Sequence, residues 1–166
     1  HDQEEAMSIS DLIVVMKLGV VQQIDSPQEV YDNPVNLFVA NFLGTPPINV
    51  FVGKVENEKV YVGDSVIGLA EGVNDQEVYI GIRPEGFELN SEGAFALDLK
   101  NVEIMGRDVS VVLSHESSVK PIIRAIISSD SKIDMSAEKI NFNIKPHKLF
   151  IFNKETEERI YLKEVK

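Results

Sequence analysis

The chain has 166 residues, with 16 Lys and Arg against 27 Asp and Glu, a net charge of −11 and no cysteine. So acidic a surface repels phosphate backbones and anionic lipid heads, which argues against nucleic-acid binding and against direct attachment to a bilayer. Without cysteine there is neither a disulfide nor a thiolate metal site, and a hydrophobic content of 43% is enough to build a core.

The opening segment His1-Asp2-Gln3-Glu4-Glu5-Ala6-Met7 reads as a short helix, joined through Ser8-Ile9-Ser10-Asp11 to the apolar run Leu12 to Met16. An uninterrupted run of this length predicts a strand covered on both faces. Gly19 supplies a turn, and Val20 to Ile24, which mixes apolar and amide residues, predicts a strand nearer a sheet edge. Nothing precedes the first helix and strand to pair with them, so the chain is expected to begin inside a larger α/β domain. Ser26, Pro27 and Glu29 form the signature of a helix start: a cap, a first-turn proline and a capping-box acid. Asn33-Pro34 repeats the pattern as a second cap. The pairs Val35 and Val39, and Phe38 and Phe42, fall four apart and predict one apolar helix face. Gly44 suits the position after a helix end. Thr45-Pro46-Pro47 then makes a short stiff linker and the expected domain boundary.

From Ile48 onward the pattern is short strands with turn signals between them. Val50 to Val55 and Lys59 to Val62 flank Asn57-Glu58 as a hairpin. Gly63-Asp64 leads into Ser65 to Leu69, and Glu77 to Ile82 ends at Arg83-Pro84-Glu85. Asp98 to Ile104 is less regular, while Asp108 to Leu113 and Ile122 to Ile127 continue the pattern. Ile140, Phe142 and Ile144 share one face and Asn141 and Asn143 the other. Leu149 to Phe152 and Ile160 to Leu162 flank a turn at Asn153 to Glu157. Strands this short and numerous predict a small barrel or two barrel-like lobes. No apolar run approaches the roughly 20 residues of a membrane helix, and no secretory signal opens the chain. Any work at a membrane is expected to pass through a partner that spans it.

The ordered succession His1-Asp2-Gln3, Glu5-Ala6-Met7, Ile13 to Met16, Val20 to Ile24, Ser26 to Tyr31, Asn33-Pro34 and Phe38 to Gly44 resembles the end of the nucleotide-binding domain of ABC transporter ATPases. More closely, it resembles the ATP-binding subunit of the maltose-type sugar and glycerol-phosphate importers. Tyr79 to Glu85, Val102-Glu103 with Gly106, and Pro146 to Phe152 before Glu155-Thr156 resemble the OB-like TOBE domain of the same subunits. The resemblance implies a mainly β chain. Residues 1–47 would be the α/β C-terminal remnant of an ABC ATPase domain, and 48–166 an OB-like TOBE regulatory barrel. It implies that His1 is the switch histidine, reaching the γ-phosphate of ATP held between two subunits. It implies ATP and Mg²⁺ as cofactors of the full-length ATPase. Its partners would be a second copy of the subunit, the transmembrane permease subunits and regulatory proteins, with a cytoplasmic location at the inner face of the membrane.

The pattern also has gaps. No Gly-x-x-x-x-Gly-Lys-Ser/Thr phosphate loop occurs, and no apolar strand ends in Asp-Glu, so this chain alone is expected to bind no cofactor and to be inactive. Glu4 and Glu5 are adjacent on a helix and point apart, so they form no catalytic dyad. Arg83-Pro84-Glu85 could bind an anion, but one arginine makes a poor anion cage; the better reading pairs Arg83 with a carboxylate or a backbone carbonyl. His115 and His147 lack the converging partners of a metal site. Phe150 and Phe152 share a strand face and are expected to pack. Two rival readings of the β region are an oxyanion-binding module of the molybdate type and an OB-fold nucleic-acid binder. The first needs clustered polar groups that the scattered lysines do not provide; the second is opposed by the charge.

Overall fold

The computed structural model describes residues 12–163. The opening helix expected at His1 to Met7, with Glu4 and Glu5, lies outside the described residues. Strands β1 (Ile13–Lys17) and β2 (Val20–Asp25) pair antiparallel across Leu18-Gly19, whose φ values of 49° and 79° are those of a tight hairpin turn. Within the described residues only one face of the run Leu12 to Met16 is covered. Val15 is 1% exposed, whereas Val14 and Met16 are 52% and 51% exposed. With two strands in this sheet among the described residues, one pleat face rests on the helices that follow and the other faces outward.

Helix α1 (Pro27–Asp32) starts as expected, with the Ser26 hydroxyl accepting the Glu29 N–H at 3.3 Å. Helix α2 (Leu37–Phe42) starts later than Asn33-Pro34 implies. Its cap is Asn36, whose Oδ1 accepts the Val39 N–H at 2.9 Å, and Asn33 instead closes α1. The reason is tertiary. The Val35 N–H donates to the Gln23 side chain at 3.1 Å, and the Val35 carbonyl accepts the Arg159 N–H at 3.0 Å. Those bonds hold residue 35 out of the helix. The buried side chains of α2 are Leu37, Val39 and Ala40, while Phe38 is half-buried and Phe42 exposed, so the expected stripe is only partly the one that packs. Gly44 follows the C-cap Leu43 with a positive φ of 116°.

The rest is β structure: β3 (Asn49–Glu56), β4 (Lys59–Val62), β5 (Ser65–Leu69), β6 (Gln76–Ile82), β7 (Phe87–Leu89), β8 (Phe95–Met105), β9 (Asp108–Ser114), β10 (Ile123–Ser128), β11 (Lys139–Ile144), β12 (Leu149–Asn153) and β13 (Arg159–Ile160). One sheet runs β13-β12-β6-β3-β4-β5 and the other β10-β9-β8-β11-β7. Asn57 and Glu58, at φ 51° and 60°, make the expected β3–β4 hairpin. The irregularity read at Asp98 to Ile104 is a bulge between Leu99 and Asn101 in the β8–β9 pairing.

The two sheets face one another across one apolar core, with Phe51, Ile80 and Ile82 on one side and Phe95, Leu97, Leu113 and Phe142 on the other. Phe51 and Phe95 meet edge to face at 5.3 Å. Period-2 alternation does this work: Ile140 and Phe142 point into the core, whereas Asn143 is exposed. A polar seam draws the sheets into a nearly closed barrel. Val52 N–H donates to Ser117 at 2.8 Å, and Val119 N–H to Val50 at 2.9 Å. Beside them the buried Asn49 side chain bridges β3 to β10. Its Oδ1 accepts the Arg124 N–H at 3.0 Å, and its Nδ2 donates to the Arg124 carbonyl at 2.9 Å and the Ile82 carbonyl at 3.2 Å.

Asn49→Leu keeps the branched heavy-atom outline of this side chain and leaves one buried and two part-buried backbone groups without their side-chain partner. Leaving such groups unpaired costs about 1–3 kcal/mol each at most, with partial relief by relaxation. The expected outcome is a lower guanidinium unfolding midpoint with an unchanged slope; an unchanged midpoint would show that the seam does not depend on Asn49.

Candidate functional site

His1, the residue expected to act on a nucleotide, lies outside the described residues. The chemistry-bearing side chains that the fold does gather lie where the two helices meet the barrel. Arg83 follows the last residue of β6 and caps the 3-10 turn at Pro84–Gly86. It is 1% exposed. Its Nη1 donates to the Ala40 carbonyl at 2.9 Å and the Leu43 carbonyl at 3.0 Å, and its Nη2 donates to the Tyr31 carbonyl at 2.7 Å. These carbonyls lie in the last turns of α1 and α2, where intrahelical partners run out and the helix dipole is negative. One guanidinium therefore caps both helices, and its five-donor fork is what makes that possible.

The Arg83 guanidinium carbon lies 4.0 Å from the Tyr31 ring centroid, a cation–π contact. The Tyr31 hydroxyl donates to Glu85 at 2.5 Å. Lys148 completes the group, with its Nζ 3.3 Å from Glu85 and 4.0 Å from Asp32. Burial, followed by the hydrogen bond and negative charge of Glu85, pushes the Tyr31 phenol far above its ordinary range. Burial also works against the Glu85 carboxylate. The Tyr31 hydrogen bond, a backbone bond and the Lys148 charge outweigh it and hold that carboxyl below the usual range. Burial lowers the pKa of the Arg83 guanidinium, opposed by Tyr31, Glu85 and Asp32.

The carbonyl-pairing reading of Arg83 thus holds, and the anion reading of Arg83-Pro84-Glu85 does not, because the guanidinium faces the helix ends rather than solvent. His115 packs edge-on against Phe95 at 5.3 Å and Phe51 at 6.0 Å, and its Nδ1 accepts the Ser117 N–H at 3.0 Å. Burial lowers its pKa. His147 is exposed in the 3-10 turn Pro146–Lys148. Among the described residues no three His, Cys, Asp or Glu side chains converge as a metal site would require. Phe150 and Phe152 pack in a cluster with Leu37, Ala40 and Ile48.

Beside this cluster is a cavity of about 500 Å³, walled by α2, by Pro46-Pro47, by the start of β3 and by the segment 118–122. The local sequence carries no trace of it, and none of the Arg83 contacts beyond the choice of a carbonyl partner. The groups involved are separated by 40 to 52 residues along the chain.

Arg83→Lys keeps the positive charge, but one ammonium cannot span carbonyls on two helices. A loss of about 1–3 kcal/mol in folding stability is expected, measured by chemical denaturation; wild-type stability would remove the double cap from the account. Tyr31→Phe keeps the ring and removes only the donor to Glu85. Because the folded Glu85 pKa is lowered, its contribution is complete above the unfolded carboxylate value of about 4.3 and is lost as pH falls through the lower folded value. Thermal unfolding should therefore show a Tm gap between wild type and Tyr31→Phe at neutral pH that shrinks in acid. A gap independent of pH would mean that the hydroxyl acts through packing alone.

No family model matches the chain. The chain is 35% identical over 163 residues to a Mycoplasma genitalium protein provisionally named as an ABC transporter ATP-binding protein, an alignment spanning 96% of this chain and 27% of that one. It is 31% identical to the sn-glycerol-3-phosphate import ATP-binding protein UgpC of a Jannaschia species, over 96% of this chain and 45% of that one. It is also 31% identical to the diacetylchitobiose uptake system ATP-binding protein MsiK of Streptomyces coelicolor, over 96% of this chain and 48% of that one. The chain thus spans between about a quarter and a half of the length of these relatives. Along nearly the whole of its own length, the homologues of this chain are ABC transporter ATP-binding proteins.

Proposed function

We propose that this chain is the C-terminal part of the ATP-hydrolysing subunit of an ABC importer for sugars, glycerol phosphate or related solutes. The observation that carries the reading is the match over 96% of the chain to import and uptake-system ATP-binding proteins. In this reading residues 1–47 close the ATPase domain, and 48–166 form the TOBE-type regulatory barrel. The bare face of the β1–β2 hairpin supports it. Leu12, Val14, Met16 and Val20 are all exposed. A two-stranded sheet with an apolar outer face is marginal by itself and calls for more protein to cover it.

The chain's own residues do not fit ATP or Mg²⁺. The sequence has no phosphate loop, and no acidic cluster converges among the described residues. Both groups would be held by residues outside this chain, which by itself would be inactive. His1 is the exception: it would act as the switch histidine at the γ-phosphate, an electrostatic positioning role of the kind that dominates phosphoryl transfer. The barrel would hold two copies of the subunit together, which raises the effective concentration of one ATPase domain near the other, and would receive regulatory proteins. No described helix is long and apolar enough to cross a membrane. As in the import systems for which the relatives are named, attachment at the cytoplasmic face would run through permease subunits.

The test is made in the full-length subunit. His1→Ala should cut ATP hydrolysis by about 100–1,000-fold, the scale of losing one transition-state donor, while nucleotide binding measured by fluorescence titration persists. Hydrolysis at the wild-type rate rejects the switch role of His1.

A further inference from the structure

The cavity beside α2 has about 500 Å³, inside the range of roughly 300–1,000 Å³ usual for small-molecule sites, and it lies between structural units, where such sites gather. Leu37 and Ile48 give it an apolar floor continuous with the Phe150 cluster. Val119 and Ile122 also line it, and both are about half-exposed; apolar surface of that kind gains free energy when something covers it.

The lining carries two cations, Lys120 and Arg124, and one carboxylate, Glu157. Lys154 lies 4.5 Å from the ring centroid of the lining Tyr79, with its Nζ 3.4 Å from the Tyr79 hydroxyl. Arg124 is already engaged by Glu103 at 3.2 Å. Lys120 has no ion-pair partner among the described residues. In a chain of net charge −11, a local excess of cations around an apolar hollow is complementary to an anion with an apolar body.

We propose that this cavity binds a small amphipathic anion, with its apolar body on Leu37 and Ile48 and its anionic group at Lys120. Such a ligand touches α2 on one side and the barrel on the other. It therefore binds only the docked arrangement and stabilises it by mass action. The proposal rests on the geometry and charge of this chain and stands apart from the ATPase reading.

The test titrates the nitrogen-15-labelled chain of 166 residues with anilinonaphthalene sulfonate and with phenylnaphthylamine, which has the same rings and no sulfonate. Amide shifts should move at Leu37, Ile48, Tyr79 and Ile122. Lys120→Glu should weaken the sulfonate roughly tenfold, equivalent to about 1.4 kcal/mol, and leave the neutral probe within about twofold. Val119→Trp, which fills the cavity from an exposed position, should weaken both probes. Both substitutions are at exposed sites, and the spectra themselves report whether the fold is kept. The proposal is overturned if neither probe moves the cavity amides, or if shifts occur only on the hairpin at Val14, Met16 and Val20. It is also overturned if the sulfonate binds Lys120→Glu as tightly as wild type.

Discussion

The structure depends on one buried cation. Helices α1 and α2 have six residues each, far below the length at which a helix is stable alone in water. Their orphan carbonyls at Tyr31, Ala40 and Leu43 find a common donor in Arg83, which the barrel presents from the end of β6. A charge buried this deeply is tolerated because it meets three carbonyl dipoles and an aromatic face, with Glu85 nearby. The cost of desolvation is thereby turned into a geometric demand: both helix ends must be in place together.

The rest follows in order of dependence. The barrel has its own core and its own closure through Asn49. The helices are seated on it by Arg83, by the Leu37 and Ile48 cluster, and by backbone bonds from Leu37 N–H to Glu157 and from Arg159 N–H to Val35. The hairpin is seated on the helices in turn, through Val15 against Val30, Val39 and Leu43, and through the Gln23 side chain, whose Nε2 donates to the Asn33 carbonyl at 3.0 Å. Each layer is held by fewer buried contacts than the one beneath it, so opening should begin at the hairpin and end in the barrel.

This order bears on the proposed function, in which an ATPase domain and a regulatory barrel would act on one another through this junction. The passage between them is not a loose tether. It is a proline linker laid against a packed cluster, with a bidentate cap on one helix and a single bond to the other. An arrangement of that sort leaves little slack, because close-packed contacts resist small shifts. The cavity shares its walls with this junction, so whatever fills it acts on the same docking equilibrium.

The sequence by itself determined the parts whose physics is local. The Ser26-Pro27 start, the Asn57-Glu58 hairpin, the alternation through Ile140 to Ile144 and the strand ending at Arg83 all follow from bonds and side-chain directions within a few residues. The family, too, was legible, because its motifs lie in order along the chain. The tertiary structure alone decided the rest. It moved the second cap from Asn33 to Asn36, because Gln23 and Arg159 claim the backbone of Val35. It decided which face of Leu12 to Met16 is covered, since an apolar run looks the same from both sides. It chose the partners of Arg83, joined Asn49 to Arg124 across 75 residues, and left a cavity between α2 and the barrel. Contacts between distant segments depend on which surfaces the fold brings together, and no local pattern encodes that.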